Sequence, residues 1–249
     1  MRRRGLPLLK NLPSYSRCVL VAGCQRSGTT MLARLIAAAP GFARLRLTAD
    51  DELDAALALA GFVALPNDPR YCFQTTYLNE CFLEYRRLAP DQRLIWVVRN
   101  PYSVVYSMLY NWRRFALNEL YEGCGVASAK SVRLRRSRLM WPFGPSRIEK
   151  ACLAYRGKVA QILSIRHLLR PEQLLTIDYD LLSAAPEQWL PRIFQFADAP
   201  YDAACAYEVR RGPAKKADAL SIRARRLIEQ LTGPTYRECI ALAAGHDVA

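Results

Sequence analysis

The chain has 249 residues, 51% apolar and 23% charged, which suits one globular domain of the larger kind. No apolar run reaches the roughly 18–20 residues needed to span a bilayer. The net charge of +14 favours anionic ligands, nucleic acid or an acidic membrane surface.

The positive charge is unevenly spread. No Asp or Glu precedes Asp50, and none lies between Glu122 and Glu149. Arginine far outnumbers lysine, and its planar fork suits phosphates and sulfates. Three arginines follow Met1, but Lys10, Asn11 and Pro13 interrupt any apolar core of a secretory signal. Residues 1–16 are expected as a flexible arm before a single domain that takes up the rest of the chain. The eight cysteines form no C-x-x-C pair, and two histidines are too few and too separated for a zinc pattern. They read as reduced, mostly buried thiols of a cytoplasmic protein.

In chain order, RCVLVAG (residues 17–23) is a short apolar run ending in glycine, expected as a buried strand. Residues 29–40 have helical apolar spacing, with Pro40 as the stop. Residues 51–61 read as a second helix, 71–77 as a short strand and 79–90 as a helix with Asn79 as its cap. RLIWVVRNP (residues 93–101) is the clearest second strand. Asn100 can cap the next helix and Pro101 suits its first position, and that helix is expected to run through residue 121. Residues 130–147, from Lys130 to Arg147, are an irregular basic stretch, followed by a long helix over 149–169. A strand over 172–180, a helix over 186–197 and terminal helices over 214–231 and 234–244 complete the chain. Alternating strands and helices predict a three-layer α/β/α fold on a central parallel sheet.

GCQRSGTT (residues 23–30) has the glycine separation of a phosphate-cradling P-loop, between a strand and a helix as that loop requires. Thr29 stands where the loop's lysine belongs, and the cation inside the loop is Arg26. Backbone N–H groups of residues 26–30 are expected to face a concavity at a helix N-terminus, with Ser27, Thr29 and Thr30 adding hydroxyls. A second pattern, VVRNPYSVVYS, puts Arg99 at a strand end and Ser107 eight positions on, about two helical turns into the next helix. Arg99 at the carboxyl edge of the sheet would face the same crevice as the loop.

Together the two patterns resemble the PAPS-dependent sulfotransferases, PAPS being 3′-phosphoadenosine 5′-phosphosulfate. Arg26-Ser27-Gly28-Thr29-Thr30 matches the family's 5′-phosphosulfate loop; Arg99, Pro101 and Ser107 match its 3′-phosphate motif, with Asn100 in place of the usual aspartate. IDYDLL, with Tyr179, is similar to a later strand end, and Arg210, Arg211 and Gly212 resemble the loop that closes over the 3′-phosphate. The resemblance implies a P-loop-like sulfotransferase fold and in-line, metal-independent transfer from PAPS to a hydroxyl. Arg26 would stabilise the leaving 5′-phosphate, Thr29 and Thr30 would hold it, and Arg99 and Ser107 would grip the 3′-phosphate. Many relatives carry K-x-P where this chain has Gln74-Thr75-Thr76, so the usual lysine is missing.

For the base that takes the acceptor's proton, the resemblance points to the acids after the first helix, with Glu52 or Asp51 ahead of Asp50. The same three acids also make an ordinary helix N-terminus. The chain's short length and the lack of a membrane-spanning run favour a hydroxyl of a small molecule, glycan or glycolipid as the expected acceptor. The basic stretch 130–147 is an acceptor loop, a contact with an anionic membrane or a solvated loop. The rival readings are a P-loop kinase or NTPase, which needs lysine at position 29 and a magnesium-holding acid at a strand end, and a basic nucleic-acid-binding protein, for which no motif is present.

Overall fold

A computed structural model describes residues 7–131, 144–209 and 218–244. Five parallel strands form one sheet in the order β2-β3-β1-β4-β5. They are β1 (Val19–Gly23), β2 (Phe42–Ala43), β3 (Arg70–Gln74), β4 (Arg93–Val98) and β5 (Leu174–Asp178). β1 and β4 pair over their whole common length, from Val19 beside Arg93 to Gly23 beside Val97. From β1 the chain goes to the edge strand β2, returns inward to β3 beside β1, then crosses to β4 and β5 on the other side. The crevice at the carboxyl ends of the central strands is thus a topological switch point.

Side chains alternate between the two faces, as the two-residue period of a strand dictates. Leu20, Ala22, Leu94, Trp96 and Val98 join one core; Val19, Val21, Ile95, Val97 and Ile177 join the other. The second face is covered by α1 (Thr29–Ala37), α8 (Tyr179–Ala184) and α9 (Pro186–Phe196). The first face is covered by α2 (Asp51–Leu59), α3 (Pro101–Tyr110), α4 (Arg114–Leu120), α6 (Arg147–Val159), α7 (Gln161–Ile165) and α11 (Ile222–Ala244). Helices on both faces of a parallel sheet give the expected three layers. A π-turn at Tyr121–Gly125 leads into α5 (Val126–Ser131), and α10 is Cys205–Glu208.

Several elements differ from expectation for local reasons. Residues 79–90 form only a 3₁₀ helix, Phe82–Arg87, because the Asn79 side chain is engaged by Gln25 instead of capping a helix. The helix expected through residue 121 breaks after Tyr110, where the Asn111 N–H closes on the Ser107 carbonyl. The helix expected over 149–169 is two helices meeting at Ala160. Pro234 does not separate the terminal helices: α11 runs through it. Leu231, Cys239 and Ala243 are buried on either side, and that packing outweighs the one backbone hydrogen bond proline removes. β2, two residues long, is too short to leave a periodic signal.

Residues 7–16 pack against the first face. Leu9 and Leu12 are fully buried, and the Glu84 carboxylate accepts the Leu8 and Leu9 N–H groups at 2.9 and 2.8 Å. All eight cysteines are unbridged, six of them buried. No described helix is long and apolar enough to cross a membrane.

Candidate active site

The loop between β1 and α1 is shaped by what its glycines lack. A Cβ on Gly23 would lie 2.3 Å from the Val97 carbonyl oxygen, so the β1–β4 pairing leaves room for no side chain there. Gly28 has φ 94°, and its Cβ would lie 2.0 Å from the Tyr179 ring. Arg26 itself has φ 72°, a left-handed conformation that a non-glycine residue rarely keeps away from functional sites. The Ser27 N–H closes the turn on the Cys24 carbonyl at 3.2 Å, while the Ser27 hydroxyl is fully buried without a hydrogen-bond partner. Gly28 caps α1 with no side chain, so the first N–H groups of that helix keep their unpaired, partly positive character.

The second pattern meets the loop directly. Arg26 Nε donates to Ser107 Oγ at 3.0 Å, joining α3 to the loop across 81 residues of sequence. Arg99 lies beside them: its guanidinium carbon sits 4.4 Å over the Tyr179 ring, and its Nη1 reaches the Arg26 carbonyl at 3.4 Å. Arg99 Nε is buried and makes no hydrogen bond, 4.0 Å from Asp180 Oδ1. Asp180 is committed elsewhere, accepting from the Asn100 N–H at 2.7 Å and from Asn100 Nδ2 at 2.6 Å. Burial, then the neighbouring Arg99 charge, pull the Arg26 pKa down. Two guanidiniums and an open helix N-terminus converge on a cavity of about 940 Å³. Such a set fits a doubly anionic ligand.

The acidic residues that open α2 separate by role. Asp50 caps the helix, accepting the Glu52 and Leu53 N–H groups at 3.0 and 3.3 Å. Asp51 pairs with Arg34 at 2.6 Å on the outer side of α1. Glu52 turns to the sheet end, where Gln74 Nε2 donates to it at 3.1 Å and to Thr29 Oγ1 at 3.2 Å. Burial pushes the Glu52 pKa up, opposed in part by a hydrogen bond from Thr76.

The sulfotransferase domain profile matches residues 16–217. The chain belongs to the sulfotransferase family. No curated protein matches it in sequence. Solved structures with similar folds include the sulfotransferase from Alicyclobacillus acidocaldarius, 14% identical with a TM-score of 0.53, covering 91% of this chain and 95% of that one. The mouse sulfotransferase SULT7A1 complexed with PAP is also 14% identical with a TM-score of 0.53, covering 98% and 95%. The sulfotransferase domain of the Synechococcus PCC 7002 olefin synthase is 16% identical with a TM-score of 0.51, covering 93% and 94%.

Within this sulfotransferase, the structure brings Arg26, Gly28, Thr29, Thr30, Asp51, Glu52, Arg99 and Ser107 to one cleft. Ser27 lies beneath the loop, and Tyr179 forms a wall between Gly28 and Arg99. Arg210, Arg211 and Gly212 lie outside the described residues, as do positions 132–143 of the basic stretch. Sequence reasoning missed Gln74 as the bridge between Glu52 and Thr29. It also missed Tyr155, whose hydroxyl donates to the Arg99 carbonyl at 2.7 Å, and Asp180, which holds Asn100. Gln74 did carry a signal, as the residue standing in the usual lysine's place.

Proposed function

We propose that this sulfotransferase moves the sulfuryl group of PAPS to a hydroxyl acceptor. The observation that carries this reading is the Arg26–Ser107 bond, which joins the two phosphate patterns at the carboxyl edge of the sheet. PAPS bears phosphate at both ends of its ribose, which two adjacent cationic sites suit and a triphosphate does not require. The PAP complex of the similarly folded mouse protein supports the same donor. The α1 N-terminus and the hydroxyls of Thr29 and Thr30 would hold the 5′-phosphate, with Ser27 beneath the loop that presents them; Arg99 and Ser107 would hold the 3′-phosphate.

The acceptor oxygen forms a bond to sulfur as the bond from sulfur to the 5′-phosphate oxygen breaks, and the electron pair leaves with 3′,5′-diphosphoadenosine. Arg26 meets the charge that develops on that oxygen. Glu52 takes the acceptor proton. Its raised pKa reflects a carboxylate that gains by accepting one, and Gln74 orients it. The outer cleft is lined by Leu53, Phe62, Trp112 and Phe115, and both phenylalanines are exposed. That lining favours a hydroxyl carried on an apolar body, such as a glycolipid or small molecule, over a bare glycan.

Thermal stabilisation by 3′,5′-diphosphoadenosine, by ATP with magnesium and by an oligonucleotide tests the reading. Stabilisation is expected from diphosphoadenosine. Stabilisation by ATP–magnesium or oligonucleotide without it would overturn the proposal.

A further inference from the structure

Lys158 is fully buried near the end of α6. An ammonium removed from water is retained only where fixed dipoles or an opposite charge repay its lost hydration. Lys158 Nζ donates to the Leu78 carbonyl at 2.9 Å and lies 5.7 Å from the centre of the Trp96 ring. The break at Ala160 turns the next helix so that Gln161 Nε2 donates to the Asn79 carbonyl, one residue further on. Two side chains from adjoining helices thus grip consecutive carbonyls of the segment after β3.

That segment is the floor beneath Glu52. Gln25, from the phosphosulfate loop, donates to the Thr76 carbonyl at 2.9 Å and to Asn79 Oδ1 at 3.1 Å. Gln74 Nε2 reaches Glu52, Thr29 and, at 3.4 Å, Thr76 Oγ1. A positive charge on Lys158 favours the charged forms of both Glu52 and Cys24, against the larger effect of their burial. The charged and titratable groups that act on Glu52 are Arg26 from the loop, Asp50 from its own helix and Lys158 from α6; Cys24, Tyr77 and Tyr85 feel Glu52 in turn.

We propose that Lys158 is a positioning residue of this active site: by holding the Leu78 carbonyl from beneath, it fixes the 75–79 segment that follows Gln74 and carries Thr76, the two residues that hold Glu52. The inference rests on Glu52 being the base of the proposed transfer. Lys158 touches no reacting atom; it acts through Glu52.

The test follows the titration of Glu52 by carbon-13 NMR of glutamate-labelled protein, with Glu52→Gln assigning the signal. In Lys158→Met the midpoint is expected to rise, because the segment that holds Thr76 against the Glu52 carboxylate loses its anchor at Leu78. The acidic limb of the transfer rate should rise with it. A midpoint equal to wild type in folded Lys158→Met overturns the inference. If that variant does not fold, Lys158→Gln, with a shorter and neutral side chain, is titrated instead: a raised Glu52 midpoint is again expected, and a midpoint equal to wild type refutes the inference. Diphosphoadenosine binding to wild type is measured separately. Its absence sinks the sulfotransfer reading and leaves the Lys158–Glu52 coupling to stand or fall on the titration.

Discussion

Arg26→Gly separates catalytic from structural roles at the centre of the site. Arg26 holds φ 72°, which costs a residue with a Cβ about 1–2 kcal/mol and a glycine almost nothing. Against that gain stands the lost hydrogen bond to Ser107, about 0.5–1.5 kcal/mol. Glycine's greater freedom in the unfolded chain costs roughly 0.4–1 kcal/mol more. The terms cancel to within about 1 kcal/mol, so the melting temperature of the ligand-free protein should move by less than about 4 °C. Sulfuryl transfer should fall about 10²–10³-fold, the loss expected when one group facing a developing oxyanion is removed. The assay pairs thermal denaturation without ligand with transfer from labelled PAPS. A melting temperature lowered by 10 °C would make Arg26 a structural residue, and transfer within threefold of wild type would remove it from the mechanism.

Glu52→Gln should reduce transfer by about 10²–10⁴-fold, while Asp51→Asn, which loses only the exposed pair with Arg34, should leave transfer within threefold and cost under about 1 kcal/mol. The folded pKa of Glu52 is raised from 4.5, so its protonated form is the one folding favours. Wild type should therefore lose stability relative to Glu52→Gln as pH rises from 4.5 through the raised value, while activity rises over the same window; a flat difference across that window, read by denaturant titration, contradicts the assignment. Gly28→Ala combines φ 94° with a Cβ 2.0 Å from the Tyr179 ring and should destabilise by about 2–4 kcal/mol, part of which Tyr179→Leu should restore; a neutral effect in chemical denaturation would mean the loop yields without strain.

The parallel sheet, its helices on both faces and the meeting of loop and Arg99 follow from features legible in one dimension; the order of the strands and the two-residue β2 do not. Four apolar runs bounded by glycine or proline became β1, β3, β4 and β5 within a few residues, because buried parallel strands need such runs whatever surrounds them. GCQRSGTT and RNPYSVVYS were readable because a phosphate cradle and a capped helix start place fixed residue types at fixed local spacings. Helix continuity was not local. Asn79 was drawn away from capping by Gln25, 54 residues distant, and Pro234 was carried inside α11 by burial on both of its flanks.

The sequence by itself determined the two patterns on which the proposed donor rests and the layered class of the fold, since both depend on neighbours within about ten positions. The tertiary structure alone decided which acid meets Gln74 at the end of the sheet. Asp50, Asp51 and Glu52 are consecutive, and successive residues of a helix point about 100° apart, so only the packing of α2 against β3 could assign one to the cap, one to Arg34 and one to Gln74. Lys158 carries the same lesson further. It is one of six lysines in the chain and looks like any other in its helix until α6 lays it under Leu78.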